Sequence, residues 1–263
     1  MTDAELHLFV SDVHLCPGGD ATTERFVAFL ESVEGKARAL HVLGDLFHYW
    51  LGRGHERRAD YQGVLRAFRR VASSGVEVNF IWGNRDFLVA GASFERIAGV
   101  RLRGDAHTVS IGPRRVELVH GDLLCKNDER YQRYRKVIRS RPMQALARVL
   151  SLDLKRGLAE ALRRLSQREV GRKPMAIMDL DQRAVEELFT GGAELAVCGH
   201  IHREQRRPVT LGDRRAELFV LGSWDHDGPF LAIDAAGRWA FGRERVGPGL
   251  FDGERSGRLG GGS

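Results

Sequence analysis

Three features of the 263-residue sequence predict an α/β fold of four layers, α/β/β/α, with a helical insertion. Short apolar runs alternate with segments of helical spacing through the first third of the chain, the pattern of right-handed parallel βαβ units. Five apolar runs stop at Asp, Asn or His within two residues: Ser11-Asp12-Val13-His14, Gly44-Asp45, Gly83-Asn84-Arg85-Asp86, His120-Gly121-Asp122 and Gly199-His200-Ile201-His202. In such folds ligands gather beyond the carboxyl ends of the strands. Further strands are expected near 217–221, 230–233 and 238–241, joined by Asp227-Gly228-Pro229 and Ala236-Gly237, and the sheets are expected to stack.

Residues 6–10 form the first expected strand. Thr22 or Thr23 can cap the helix that follows, with Phe26, Val27, Phe29, Leu30 and Val33 at helical spacing. Residues 39–43 are the second strand. A charged segment then leads into a helix carrying Tyr61, Val64, Leu65, Phe68 and Val71, stopped at Ser73-Ser74-Gly75; residues 76–82 are the third strand. Gly112-Pro113 joins two strands, 108–111 and 115–119, as a hairpin. A helix is expected over 179–189 before the strand ending at Cys198. His7, His41 and His107 are expected at the surface, on strand flanks.

The formal charge of +6 is uneven. Residues 126–173 hold 15 Lys plus Arg against 5 Asp plus Glu, a net of +10, so the remainder is −4. Leu146, Val149, Leu150, Leu154, Leu158, Leu162 and Leu165 recur there at helical spacing. One reading is an amphipathic helical pair with a solvated charged face. The favoured reading is a basic lid over the strand-end site, spanning about 123–178, since long insertions commonly serve as lids. The domain is expected to span 1–246, with a flexible, Gly-rich tail over 247–263.

Cys16, Cys125 and Cys198 suggest no disulfide framework and read as small packing residues in a reducing compartment. The N-terminus is acidic and leads into about five apolar residues, unlike a signal peptide. No run approaches the ~18 apolar residues of a spanning helix, so any membrane contact is expected to be peripheral.

Asp12, His14, Asp45, Asn84, His120, His200 and His202 are the candidate metal ligands. Carboxylate and imidazole without thiolate suit Mn, Fe or Zn. Asp12 and His14, like His200 and His202, lie two apart and face one side in an extended segment. Seven ligands exceed the needs of one ion. Two ions sharing an Asp, ~3.5–4 Å apart, suit displacement at phosphorus.

Those five motifs, complete and in order, resemble the calcineurin-like metallophosphoesterase superfamily. The resemblance implies one metal held by Asp12, His14, Asp45 and His202, and another by Asp45, Asn84, His120 and His200. Many members carry Gly-Asn-His-Asp or Gly-Asn-His-Glu, where this chain has Gly83-Asn84-Arg85-Asp86. Arginine, with a pKa above ~12, is no general acid but can hold a phosphate through two hydrogen bonds. That suits a diphosphate whose leaving group needs little protonation.

The arginine narrows the resemblance to a family of pyrophosphohydrolases that act on UDP-2,3-diacylglucosamine in lipid A synthesis. The shared words are Ser11-Asp12-Val13-His14-Leu15, Gly44-Asp45-Leu46-Phe47 with Trp50, Gly83-Asn84-Arg85-Asp86-Phe87-Leu88, and His120-Gly121-Asp122 with Leu124-Cys125 and Asp128. Ala176-Ile177-Met178-Asp179 with Gln182, Gly199-His200-Ile201-His202-Arg203 and, loosely, Leu221-Gly222-Ser223-Trp224 complete them. Carried over by position, the substrate contacts are Asn84, Arg85, Asp128, Ser166, Lys173 and His200, and the catalytic residues Asn84, Arg85, His120 and His200. An Asn expected four residues after Ser166 is Val170, and an acidic run after Gly-Asp-Leu-Phe is replaced by Gly52-Arg53-Gly54-His55.

The resemblance implies a Mn2+-dependent hydrolase with two ions, releasing UMP and 2,3-diacylglucosamine 1-phosphate at the cytoplasmic face of the inner membrane. The alternatives are another calcineurin-like phosphodiesterase or nucleotide pyrophosphohydrolase, and a metal-stabilised scaffold. Nucleic acid is a poor fit, because Tyr131 and Tyr134 are the insertion's aromatics and form no stacking platform. No obligatory protein partner is expected.

Overall fold

A computed structural model describes residues 5–52, 54–89, 92–151, 154, 155, 157 and 180–259. Two sheets stack at its centre. The first has seven strands: β1 (Leu6–Val10), β2 (Ala39–Leu43), β3 (Glu77–Ile81) and β4 (Arg101–Gly104) run parallel, and β10 (Pro229–Asp234), β11 (Arg238–Arg243) and β12 (Ser256–Arg258) continue antiparallel beyond β1. The second has the order β5 (Ala106–Ile111), β6 (Arg114–Val119), β7 (Leu195–Cys198), β9 (Arg214–Val220), β8 (Gln205–Leu211).

Three apolar clusters define the four layers. Leu8, Val10, Leu40, Val42, Val78 and Phe80 pack on the outer helices α1 (Ala21–Val33), α2 (Gln62–Ser73) and α3 (Ala92–Ala98) through Phe26, Phe29, Phe68 and Phe94. Phe9, Leu43, Ile81, Val116, Val197 and Phe219 fill the space between the sheets. Ala196, Cys198, Leu218 and Val220 meet Ala184, Val185 and Phe189, at or just after helix α6 (Gln182–Glu187), on the far side. β1 to β3 are largely buried on both faces, which is why they read as mostly apolar runs rather than alternating ones, His7, His41, Glu77 and Asn79 aside.

Several elements differ from the sequence expectation. Asp20 caps α1, accepting from Thr23 N at 2.8 Å, so Thr23 is the donor's residue and not the cap. Helix α6 starts at Gln182 behind the cap Asp181. Strands β4, β8 and β12 and helix α3 were not foreseen. The segment from 247 is not a free tail as far as Leu259: β12 pairs with β11, Leu250 and Phe251 pack on the core, and Leu259 is buried.

The expected surface position of His41 is also wrong. It sits between the sheets, 1% exposed, two residues before the buried Leu43 on the same face of β2. His7 is half-buried beside it, with Nδ1 3.1 Å from His41 Nε2 and the rings stacked.

Helices α4 (Glu129–Ile138) and α5 (Arg141–Val149) begin the basic insertion. Residues 152, 153, 156 and 158–179, including Ser166, Val170, Lys173 and the Ile177-Met178-Asp179 word, lie outside the described residues. The exposed large apolar side chains of the described residues are Leu123, Tyr134, Val137, Leu146, Val149 and Leu154, all in this part of the chain. Among the described residues no helix is long and apolar enough to cross a membrane.

Candidate metal centre

The five strand-end motifs converge at one end of the two sheets. Asp12 and His14 follow β1, Asp45 follows β2, Asn84 and Arg85 follow β3, His120 follows β6, and His200 and His202 follow β7. Five of these residues, Asp12, His14, Asp45, His200 and His202, have φ between 52° and 72°. That left-handed backbone is disfavoured in side chains with a Cβ, at order 1–3 kcal/mol each, and clusters at working sites. Glycines allow the loops to meet. A Cβ at Gly83 would collide with the Asp45 carboxylate and one at Gly199 with Ser11 and Asp12.

Among the described residues, two groups of side chains can each close on a cation: Asp12, His14 and His202, and Asp12, Asp45 and His120. Asp12 is fully buried. Its Oδ2 accepts from His200 N at 2.7 Å, and its Oδ1 lies 3.3 Å from His202 Nε2 without a hydrogen bond. His14 Nδ1 is likewise buried without a hydrogen bond, 4.0 Å from Asp45 Oδ2. Buried polar atoms left unpartnered cost about 1–3 kcal/mol each. Here they aim at a common space, as ligands awaiting a cation do.

The remaining donors agree with a cation. His120 Nδ1 bonds the Leu43 carbonyl at 2.8 Å, which fixes the ring and leaves Nε2 as the lone pair, 3.7 Å from Asp45 Oδ1. The Asn84 amide stands among the same groups, 2.9 Å from Asp45 Oδ2 and 2.9 Å from His120 Nε2. The residues fit a divalent metal. His200 belongs to neither group; its ring lies 5.1 Å from that of His120.

The charge state follows from the same contacts. Burial raises Asp12, but the His202 imidazole beside it and the electrostatic pull of His120 outweigh it and hold the carboxyl well below its usual range. Burial and then Arg85 push His14 down to about 2, and burial with His120 takes His200 to about 4. Burial lowers His120, yet Asp45, Asp12 and Asp122 together lift it to about 9. Without an ion, His120 therefore carries the proton that a cation would displace.

Some supporting residues were in the motifs but had no role assigned. Asp86 is fully buried and accepts from Gly83 N at 2.8 Å, Leu46 N at 2.8 Å and Asp45 N at 3.3 Å, tying the second and third loops together. Asp122 accepts from Tyr131 Oη at 2.6 Å and Arg135 Nε at 2.7 Å. Their place two residues past a ligand was the available signal. Arg85 is anchored by its backbone N to Asp45 Oδ1 at 2.9 Å, with Nε 3.4 Å from Oδ2 and a third of the side chain exposed. Asp128 caps α4, accepting from Tyr131 N at 3.1 Å, and the Tyr131 ring is 5.9 Å from that of His200. Ser166 and Lys173 lie outside the described residues.

Two stacked sheets with ligand-bearing loops at the strand ends define a class, and the profile of the calcineurin-like phosphoesterases matches residues 7–204. The chain belongs to that family. It is 38% identical over 232 residues, 88% of this chain and 89% of the relative, to UDP-2,3-diacylglucosamine hydrolase of Edwardsiella ictaluri. The enzyme of the same name from Photorhabdus laumondii is 37% identical over 86% of this chain and 94% of its own. That from Pseudomonas aeruginosa is 35% identical over 88% and 95%.

Proposed function

We propose that the protein is a metal-dependent hydrolase of UDP-2,3-diacylglucosamine in lipid A biosynthesis. The observation that carries this is the unpartnered pair Asp12 Oδ1 and His14 Nδ1, in a chain collinear with hydrolases of that name over nearly their whole length. Water attacks the phosphorus on the UMP side, and the bond from that phosphorus to the bridging oxygen breaks. UMP and 2,3-diacylglucosamine 1-phosphate separate.

Asp12, His14, Asp45 and His202 would hold one divalent ion, and Asp45, Asn84, His120 and His200 the other. Their oxygen and imidazole donors suit Mn2+. Bound there, the ions would polarise phosphoryl oxygens and lower the pKa of the attacking water. Arg85 takes the diphosphate, since its guanidinium is held at the rim by Asp45 and stays partly open to solvent. His200 is neutral at pH 7 and can serve both an ion and a phosphate oxygen. Asp128, Ser166 and Lys173 are the further substrate contacts.

The insertion from about 123 to 178 acts as the lid. Its exposed Val137, Leu146, Val149 and Leu154, beside Arg130, Arg133 and Arg141, suit two acyl chains and a diphosphate. The same surface supports peripheral contact with the anionic inner membrane, at ~1 kcal/mol per well-placed basic residue.

An assay of the purified protein with Mn2+ tests the reading. UMP release from UDP-2,3-diacylglucosamine is expected, and its loss in H14A. Turnover confined to diadenosine polyphosphates or cyclic nucleotides would replace this substrate with another, and none with any phosphoester would leave a scaffold.

A further inference from the structure

The loop that carries Asn84 is fastened from two sides. On one, Gly83 N donates to Asp86 Oδ1 at 2.8 Å. On the other, the Gly83 carbonyl, part of the peptide leading into Asn84, accepts from Arg139 Nη2 at 2.7 Å. Arg139 is the C-terminal cap residue of α4, far along the chain. Its side chain is 11% exposed, its guanidinium lies over the Phe87 ring at 5.2 Å, and its Nη1 pairs with Asp105. Asp105 also takes Arg135 Nη2 at 3.1 Å, and Arg135 Nε holds Asp122, two residues past His120. Two arginines of the basic insertion thus point inward and clasp two ligand loops.

We propose that Arg139 is a positioning residue for Asn84, fixing the Gly83–Asn84 peptide and so the aim of the Asn84 amide. This rests on the reading of Asn84 as a metal ligand. Gly83 is already pressed against Asp45, where no Cβ fits, so the loop cannot move inward. Rotation of the peptide is the freedom left to it, and the bond from Arg139 removes that freedom. Seating of α4 and order at the metal centre are therefore linked through one guanidinium. Partners of this outer kind typically contribute 10–100-fold to metal affinity.

The test is calorimetric titration of metal-free protein with Mn2+, with circular dichroism on the same samples. R139A is expected to bind Mn2+ at least ~10-fold more weakly. R139K can still donate to the Gly83 carbonyl and should recover part of the loss. In an N84A background, R139A should bring no further loss, because both act through one ligand. Wild-type Mn2+ affinity in R139K and R139A, or losses from N84A and R139A that multiply, would overturn the proposal. Should R139A misfold, R139K and D105A carry the same test, each with a smaller loss expected. Wild-type affinity in N84A would instead remove the metal-ligand reading beneath it.

Discussion

The space between the two sheets ends in polar residues on both sides, and the two ends behave oppositely. At the carboxyl ends of β1 to β3 stand Asp12, His14, Asp45 and Asn84; nearer their amino ends stand His7, His41 and Asn79. His41 and Asn79 are as buried as Asp12 and Asp45. At the amino-terminal end, though, every contact closes. His7 Nδ1 meets His41 Nε2 at 3.1 Å, Asn79 Nδ2 lies 3.4 Å from His41 Nδ1, and Arg103 Nε donates to Asn79 Oδ1 at 2.6 Å and Nη2 to Glu77 at 3.0 Å. None of these residues has a positive φ, and no buried side-chain atom of His7, His41 or Asn79 lacks a partner. The carboxyl-terminal end has five strained residues and two orphaned atoms. Burial of histidine and carboxylate does not separate structure from function. Incomplete satisfaction with backbone strain does.

The contrast can be broken by exchanging effects between the ends. D45A should lower kcat at least ~10³-fold, because Asp45 belongs to both foreseen ligand sets, while the melting temperature stays or rises because a buried carboxylate facing Asp12 and Asp86 is removed. An active D45A would end the distinction. R85A should lower kcat/KM ~10²-fold with Mn2+ affinity unchanged, checked by kinetics beside titration; unchanged kcat/KM would refute phosphate holding. H41A should do the reverse, costing about 2–3 kcal/mol in a denaturant melt by leaving His7 and Asn79 unpartnered, with kcat per folded molecule retained.

The smallest effect is a pH limb. Burial, then Arg38, holds His7 down at about 4, and burial with His7, His107 and Arg103 holds His41 well below its ordinary value. The unfolded chain protonates first as pH falls, so stability is full above about 6.5 and is lost toward pH 4. H7Q should flatten that limb in melts across pH 4–7; an unaltered limb would assign it elsewhere.

The parts of the fold legible in the sequence are those governed by burial. β1 and β2 match the expected limits because both their faces are covered, leaving runs that are apolar apart from His7 and His41. β4, β8 and β12 were not legible because edge strands gain from backbone pairing with little side-chain burial. β8 reads Gln-Arg-Arg-Pro-Val-Thr-Leu, and Val209 alone is fully buried. The Pro, tolerated at an edge, argued against a strand. The ligand loops were legible because Asp and His end apolar runs in a fixed order. Arg139 and Arg135 were not, since their partners Gly83, Asp105 and Asp122 are distant in sequence and a basic insertion reads as a solvated face. His41 could have been placed: the period of two that buries Leu43 against the second sheet puts His41 on the same face.

The most direct measurement is anomalous diffraction at the manganese edge from crystals soaked in MnCl2. Peaks bonded to Asp12 Oδ1 and Asp45, and none between His7 and His41, are the predicted result. A peak at the His7–His41 pair, or an empty strand-end site, would contradict the division between the two ends.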